Sequence, residues 1–507
     1  MLCVSAEGRN KSGSFAASLG AHTGIGTLPI VFFGNDAQRR KYLPKLASGE
    51  LLAAYALTES EAGSDALSGK TRADLSADGT HYVLNGTKMW ITNGAFADLY
   101  IVFAKVGGKD FSAFIVERPS PGFSVGAEEH KLGIRGSSTT SLTFEDVKVP
   151  VENLLGEIGK GHKIAFNILN VGRFKLGVGT LGGAKEALRV SIEYATTRKQ
   201  FKKPLSDFGL IKAKMGDMAA GIFAVESMAY RLSGLMDSRI AQIPEGAADY
   251  QTQVVNAIEE YVVEQSILKI AGSELMDFAA DEALQIHGGY GYSEEYAPER
   301  LVRDSRINRI FEGTNEINRM LIPGTLLKRA MKGQLPLMDG LMKLDGELAN
   351  GAMKGLGASL TAFAGGPLAD AALLAELGKR LTLYCLNAAT QKYMMELQDQ
   401  QEVLATLADL ITDAYGQDSA VARAQRLIGE RGEKASHAVD LARLFTHDAY
   451  HRIHNAAQML VESISEGDEL KAHHEKLAKL SHQGAFPRHE VRRRVADTCI
   501  EAGGYKV

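Results

Sequence analysis

A chain of 507 residues exceeds what one hydrophobic core ordinarily supports, so two or more packed units are expected. Hydrophobic residues at 45%, charged residues at 23% and 12 prolines describe an ordinary globular protein and exclude a disordered or fibrous one. A net charge of −4 with signs mixed along the chain gives no strong field that would favour nucleic acid as a partner.

Three cysteines, Cys3, Cys385 and Cys499, lie far apart and follow no metal-ligand or disulfide spacing, which fits a reducing compartment. The start "MLCVSAEGRN" lacks the basic head, apolar run and small-residue cleavage site of a secretory signal, so export is not expected. The stretch Leu348–Ala369 carries Lys354 as its one charge. Its glycines, Pro367, Asn350, Ser359 and Thr361 make a poor spanning helix, and contact with a membrane surface stays open.

Residues 12–54 predict helix, turn and helix, with Asn35 and Asp36 as caps and Tyr42, Leu43 and Leu46 facing in. From about Tyr55 short β-branched and aromatic runs alternate with Asp78-Gly79, Asn85-Gly86, Asn93-Gly94 and Gly107-Gly108, a pattern that predicts an antiparallel sheet or barrel. Helical periodicity then runs to about residue 330, with segments around Ala184–Thr196, Ile211–Ser238 and Ala248–Met276. After a Gly- and Ala-rich stretch, further helices are expected over Leu368–Ile428 and Lys434–Ile464. The expected class is mainly α with a central antiparallel β-barrel, divided at 1–54, 55–160, 161–335 and 336–507.

Three features invite functional readings that their contexts weaken. Gly177, Gly179 and Gly182 spell G-x-G-x-x-G, but no strand precedes them and the flanks are helical, so close helix packing explains them better. His447, His451 and His454 share a helical face without a carboxylate or cysteine set to complete a metal shell, and no metal is expected. Arg488, Arg492, Arg493 and Arg494 read as a solvated helix face or a partner contact.

Other segments carry chemistry. "AYALTESEAGSDA", residues 54–66, combines hydroxyls with backbone amides around Gly63, suited to a polar planar cofactor and its phosphates. In "KMWITNG" strand alternation would send Trp90 and Thr92 to one face, an aromatic plate beside a hydroxyl; plain core packing is as good an account. In "INRIFEGTNEINRMLI" Glu312 stands between the apolar Ile310 and Phe311 and a Gly-Thr turn. Desolvation there would raise its pKa toward the range of a general base, whereas a helix-end glutamate is the plainer reading.

Taken in order, "LTESEAGSD", "KMWITNG", "TRKQF", "QIHGGYGY" and "RIFEGTNE" resemble the motifs of acyl-CoA dehydrogenases, most of all the very-long-chain type with its extra C-terminal helical domain. The resemblance covers nearly the whole chain and implies residues 1–54 as the remainder of an N-terminal helical domain. It implies FAD held through positions matching Tyr55, Leu57, Thr58, Gly63, Ser64, Trp90, Ile91, Thr92, Thr314 and Glu316. Arg198, Gln200, Phe201, Gln285, Gly288 and Gly289 match the contribution of a second subunit, which makes a homodimer the expected assembly. For acyl-CoA the resemblance points to Ser64, Asn170, Arg173 and Gly313. Elsewhere in the family a carboxylate base can sit at the position of Gly172, and since glycine takes no proton, Glu312 is left as the candidate base.

The implied reaction is α,β-desaturation of a fatty acyl-CoA to the trans-2-enoyl-CoA in fatty acid β-oxidation, with electrons passing to electron-transferring flavoprotein. Small residues at Ser14 and Ala16, in the helix matching the floor of the acyl pocket, suggest long chains; close packing of two helices explains them equally. The implied setting is bacterial cytoplasm or mitochondrial matrix, with peripheral contact at an inner membrane. Two rival readings stay open on the same fold, an assembly scaffold with little catalysis and an acyl-CoA oxidase.

Overall fold

The computed structural model describes residues 12–349, 365–482 and 484–507, so most of Leu348–Ala369 lies outside the described residues. The chain forms two compact units, each assembled from separate stretches. The first takes the stretch ending at Gly179, Ser233–Gln265 and Arg303–Thr314; the second takes Thr180–Leu232, Ser266–Val302 and Asn315 onward.

The first unit begins with α1 (Gly13–Gly20), a π-helical turn at Ala21–Gly26, α2 (Leu28–Phe33) and α3 (Asp36–Ser48). Asn35 caps α3 as expected: its side chain accepts from Gln38 N–H, and the Gln38 side chain accepts from Asn35 N–H. Gln38 also donates to the carbonyls of Glu152 and Leu154, both at 2.8 Å, which fastens α3 to the end of the sheet. By length and composition Gly13–Phe33 is apolar enough to cross a membrane. Here it packs on protein: Ile30 is fully buried, and His22 Nδ1 accepts from Ala53 N–H while the other ring nitrogen faces Leu46 O at 3.1 Å.

Eight strands follow: β1 (Ala53–Ala56), β2 (Arg72–Leu75), β3 (His81–Thr92), β4 (Leu99–Val106), β5 (Asp110–Glu117), β6 (Phe123–Val125), β7 (Thr139–Pro150) and β8 (Leu154–Leu155). The order is β6-β7-β3-β2-β4-β5-β8, with β1 also on β4. The sheet is mixed and open, which corrects the antiparallel barrel. β5 takes one edge of β4 along its whole length, so β1 and β2 lie end to end on the other edge, and both run parallel to β4. Among the described strands β6 pairs with β7 and β8 with β5, and nothing joins those two ends. Both faces are covered. Ile101, Phe103 and Ile115 pack with Ile30 and Tyr42 on one side, while Tyr100, Val102 and Phe114 pack with Leu84, Leu142 and Phe144 on the other, the period-2 arrangement of a sheet buried twice.

Gly107 and Gly108, at φ 58° and 74°, make the expected tight turn between β4 and β5. Asn85-Gly86 does not turn the chain. β3 continues through it with a register shift against β7, because pairing along a twelve-residue strand outweighs a local turn preference.

The helices are longer or differently cut than their periodicity suggested. They are α4 (Gly161–Thr197), α5 (Gly209–Ile240), α6 (Tyr250–Glu259), α7 (Val262–His287), α8 (Ala297–Ser305) and α9 (Asn315–Met331). The expected single helix over Ala248–Met276 is broken at Glu260–Tyr261. The Gln265 side chain satisfies Ile258 O at 3.1 Å across that break. Gly177, Gly179 and Gly182 lie inside α4, as their flanks indicated; space around Gly179 is open, so close packing does not explain that residue.

The second unit closes with α10 (Leu337–Ala349), α11 (Ala369–Tyr393), α12 (Gln401–Arg431), α13 (Ser436–Ile464), α14 (Gly467–Lys479) and α15 (Arg488–Ala502). Leu374, Leu381, Leu407 and Ile453 are fully buried in their shared core. Cys385 and Cys499 are buried as well, and loss of hydration pushes their thiols up to about 12 and about 11. Three of the four α15 arginines face carboxylates instead of standing as a solvated face: Arg488 pairs with Asp448, Arg492 lies 2.8 Å from Asp217 and Arg494 lies 2.8 Å from Asp440, while Arg493 is exposed. His447 stacks on Phe486 at 3.7 Å between centroids and faces Asp370 at 3.1 Å, whereas His454 bonds Ser481. Each of those two rings is engaged separately.

Candidate active site

Glu312 sits between the turn Arg306–Arg309 and α9 with φ 58°, and Gly313 follows at φ 76°. A non-glycine residue in the left-handed region costs about 1–3 kcal/mol and persists where its surroundings over-determine it. α4 supplies that restraint. Arg173 Nε donates to the Glu312 carbonyl at 3.3 Å, and its Nη1 donates to Asn170 Oδ1 at 2.8 Å, the pair being one helical turn apart on one face. The Glu312 carboxylate lies against α4 itself. A Cβ placed on Gly172 would stand 2.6 Å from Glu312 Cδ and 3.0 Å from Oε1, so this approach requires glycine.

Glu312 is half-buried, Arg173 buried. Burial lowers the pKa of the Arg173 guanidinium, and the nearby Glu312 charge works in the opposite direction. Tyr55, buried on β1 with its hydroxyl 3.4 Å from Ala165 O, is pushed well above the usual phenol range by burial and then by the Glu312 charge. The carboxylate therefore has a guanidinium and a neutral phenol within electrostatic reach. The guanidinium favours the charged carboxylate, the form a base must hold before it takes a proton. Two of the Arg173 donors are committed to the protein, to the Glu312 carbonyl and to Asn170.

Around β3 a second arrangement is built on a buried ion pair. Lys88 is 1% exposed and donates to Leu57 O at 3.1 Å and to Glu59 Oε1 at 2.6 Å, while the Glu59 carboxylate accepts the N–H groups of Lys70 and Thr71. Met89 N–H reaches Thr58 O at 3.0 Å. These bonds fix the loop carrying Gly63 and Ser64 to β3. Neither Lys88 nor Glu59 was singled out from the sequence, although both lie within the quoted motifs.

A register shift against β7 falls between Lys88 and Ile91, and Trp90 and Thr92 flank the buried Ile91 in the chain. Trp90 has φ 60° and is 54% exposed, Ile91 is buried and Thr92 half-buried. Core packing is thereby excluded for the indole. A large exposed ring on strained backbone, on the strand to which the loop of the exposed Gly63 and Ser64 is tied, fits a planar cofactor, and space at Gly63 is open. Leu57 is buried and Thr58 half-buried in the same loop. Gly313 and Thr314 are half-buried beside the base.

The remaining expected contacts belong to the second unit. Arg198 is exposed and lies over the Tyr290 ring at 5.4 Å; Gln200 is exposed, and Phe201, at φ 51°, is 88% exposed. Gln285, Gly288, Gly289 and Glu316 are exposed. That unit also holds a cavity of about 640 Å³ lined by apolar groups such as Val225, Met228 and Phe278. None of the expected site residues lines it. Its guanidiniums are spent on neighbouring carboxylates, Arg319 on Glu274 and Asp409, and Arg452 on Asp413.

Comparison with known proteins covers most of the chain. Models described as acyl-CoA dehydrogenase N-terminal and middle domains match residues 1–50 and 54–147, and two described as C-terminal domains match 159–327 and 378–479. A probable acyl-CoA dehydrogenase of Bacillus subtilis is 46% identical over 499 residues, which is 98% of this chain and 83% of that protein. The human very long-chain specific acyl-CoA dehydrogenase, mitochondrial, is 38% identical over 443 residues, covering 83% of this chain and 64% of its own length. Among solved structures, an acyl-CoA dehydrogenase complexed with FAD from Bacillus anthracis superposes with a TM-score of 0.94 at 48% identity, covering 97% of this chain and 83% of that one. Butyryl-CoA dehydrogenase from Megasphaera elsdenii gives a TM-score of 0.58 at 40% identity, with 64% and 81% covered.

Proposed function

Because the chain belongs to the acyl-CoA dehydrogenase family, whose members are FAD-dependent oxidoreductases, we propose that it desaturates long-chain fatty acyl-CoA thioesters to trans-2-enoyl-CoA. The observation that carries this reading is the Glu312 carboxylate laid on the bare backbone of Gly172, with its own carbonyl pinned by Arg173. In that position Glu312 removes the α-proton. Its main-chain N–H has the task of donating to the thioester oxygen as charge develops there, since an α-proton is otherwise too weakly acidic for a carboxylate. FAD, when bound, supplies the acceptor for the β-hydrogen, which leaves as hydride.

Trp90 and Thr92 on β3, with Gly63 and Ser64 on the adjoining loop, would hold the flavin. The exposed Arg198, Phe201 and Gln285 suit contact with the cofactor of a second copy, and a homodimer follows from that assignment. Long-chain preference draws support from the human very long-chain relative and from the small side chains at Ser14 and Ala16. Electron-transferring flavoprotein would take the electrons onward.

Anaerobic mixing with palmitoyl-CoA, followed by flavin absorbance, tests the reading. The parent is expected to bleach, and Glu312→Gln to bleach about 10² to 10⁴ times more slowly. No bleaching in the parent, or equal rates in both, removes Glu312 as the base. Butyryl- and octanoyl-CoA in parallel read the chain length, and a faster rate with either than with palmitoyl-CoA overturns the long-chain assignment.

A further inference from the structure

Between β6 and β7 the loop around Ile134 is held in a costly shape. Ile134 has φ 46°, and a β-branched side chain in the left-handed region is a true outlier that something must pay for. Its N–H donates to Asp304 Oδ1 at the end of α8, eight residues before Glu312. The neighbouring Gly133 is pressed against the same stretch. A Cβ there would overlap the Arg303 carbonyl and stand 2.7 Å from Asp304 N, and Arg303 Nη1 donates to Leu132 O at 3.3 Å.

Asp304 is gripped from the other side by α1. A Cβ on Gly13 would lie 3.0 Å from Asp304 Oδ2, and Ser14 Oγ accepts the Gly136 N–H at 3.0 Å. The far end of the loop reaches the segment that presents Trp90. Ser138 O accepts from Asn93 N–H and Ser138 Oγ from Ala95 N–H, each at 3.0 Å, while Ser137 N–H returns to Ile134 O at 3.1 Å. A continuous run of hydrogen bonds and backbone therefore links the turn after Trp90, through Ser138 and Ile134, to Asp304 and on to Glu312.

We propose that Asp304 is a positioning residue that sets the distance between the Glu312 carboxylate and the Trp90–Thr92 strand end, and so the gap in which the acyl chain is held between base and cofactor. Arg173 holds Glu312 at its carbonyl, and Asp304 ties the start of the same stretch to the loop through the Ile134 N–H. Without an acceptor for its N–H, Ile134 relaxes toward extended backbone and Gly133 withdraws from Arg303. The base then moves with α8. A displacement near 1 Å is enough to cost about 100-fold in a proton transfer that depends on alignment.

The inference rests on Glu312 being the base, and the test keeps the two apart. Exchange of the α-hydrogens of palmitoyl-CoA for solvent deuterium is followed anaerobically, beside flavin content and KM, in Asp304→Ala, Asp304→Asn and Glu312→Gln. Asp304→Ala is expected to keep flavin and KM near the parent's but to slow α-exchange by about 10- to 100-fold. Asp304→Asn, whose amide oxygen still accepts the Ile134 N–H, is expected to stay within about 3-fold of the parent. Exchange that survives in Glu312→Gln would sink the base and not the brace. Parent-like exchange in Asp304→Ala, or equal losses in the alanine and asparagine variants, overturns the role of Asp304. If Asp304→Ala does not fold, Gly13→Val presses on the same carboxylate from α1; it is expected to slow exchange by about 3- to 10-fold at saturating substrate, and unchanged exchange overturns the inference.

Discussion

Around the candidate site Trp90, Asn93, Ile134 and Glu312 all hold φ between 46° and 66° without being glycine, and Gly172 and Gly133 are each pressed against another segment. In α11, α12 and α13, among the described residues, Met394 at the end of α11 is the sole non-glycine with such a φ. The helical extension rests on repetition: leucines such as Leu374, Leu381 and Leu407 at zero exposure fill a shared core. The contrast teaches where stability is generated and where it is spent. Regular helices contribute it, and the irregular backbone around Glu312 consumes some of it to hold side chains where a relaxed chain would not put them.

The largest expected effect breaks the helical side of that contrast. Leu407→Ala empties a fully buried site and should lower stability by about 2–5 kcal/mol, read by chemical denaturation. Its kcat per folded, flavin-loaded molecule should match the parent's. A fall in kcat beyond the loss of folded protein would show that the extension acts on the chemistry.

A smaller effect sharpens the other side. Gly172→Ala adds a good helix former in the interior of α4, worth about 0.5–1 kcal/mol by propensity alone, yet its Cβ would stand against the Glu312 carboxylate. Proton removal is expected to slow by about 10- to 100-fold while the melting temperature holds or rises. A parent-like rate would mean that the carboxylate is not where it is needed.

The smallest effect lies in the helical layer that covers the sheet. His22 receives the Ala53 N–H on Nδ1, so its proton must sit on Nε2, facing Leu46 O, and the ring is neutral. Burial, and then the charge of Lys175, hold its pKa below the ordinary 6.5 despite the carbonyl contact. Below that pH the unfolded chain takes up a proton that the folded chain refuses, so stability should be level above it and fall as pH drops through it. Melting temperatures at about pH 7.5 and 5.5 read this slope, which other rings whose pKa burial lowers, such as His287 and His482, share, so His22→Gln should lessen it. An unchanged slope would move the titrating group elsewhere.

Local chemistry made part of this fold legible. The Asn35 cap and the Gly107-Gly108 turn follow from residues that are neighbours in the chain, and both formed as read. Asn85-Gly86 misleads because the same dipeptide serves a tight turn or a bulge, and the choice is made by β7 some 60 residues away. The mixed sheet was out of reach for a similar reason: nothing within Ala53–Ala56 announces that it will run parallel to Leu99–Val102. Three of the α15 arginines looked solvated because their partners Asp217, Asp440 and Asp448 belong to other helices. At the site, Glu312 was visible as a charge in an apolar setting, whereas Asp304 was not, since its meaning comes from the strained Ile134 in a distant loop.

The two sealed thiols of the second unit have a practical consequence. Cys385 is fully enclosed by its leucine neighbours and Cys499 by α15 and what that helix packs on, and at neutral pH both are almost wholly in the unreactive protonated form. A thiol reagent can reach either sulfur only while its own helix stands away from the rest. Each cysteine is thus a native stopwatch, and their separate alkylation rates would time the breathing of α11 and of α15 without the introduction of any probe.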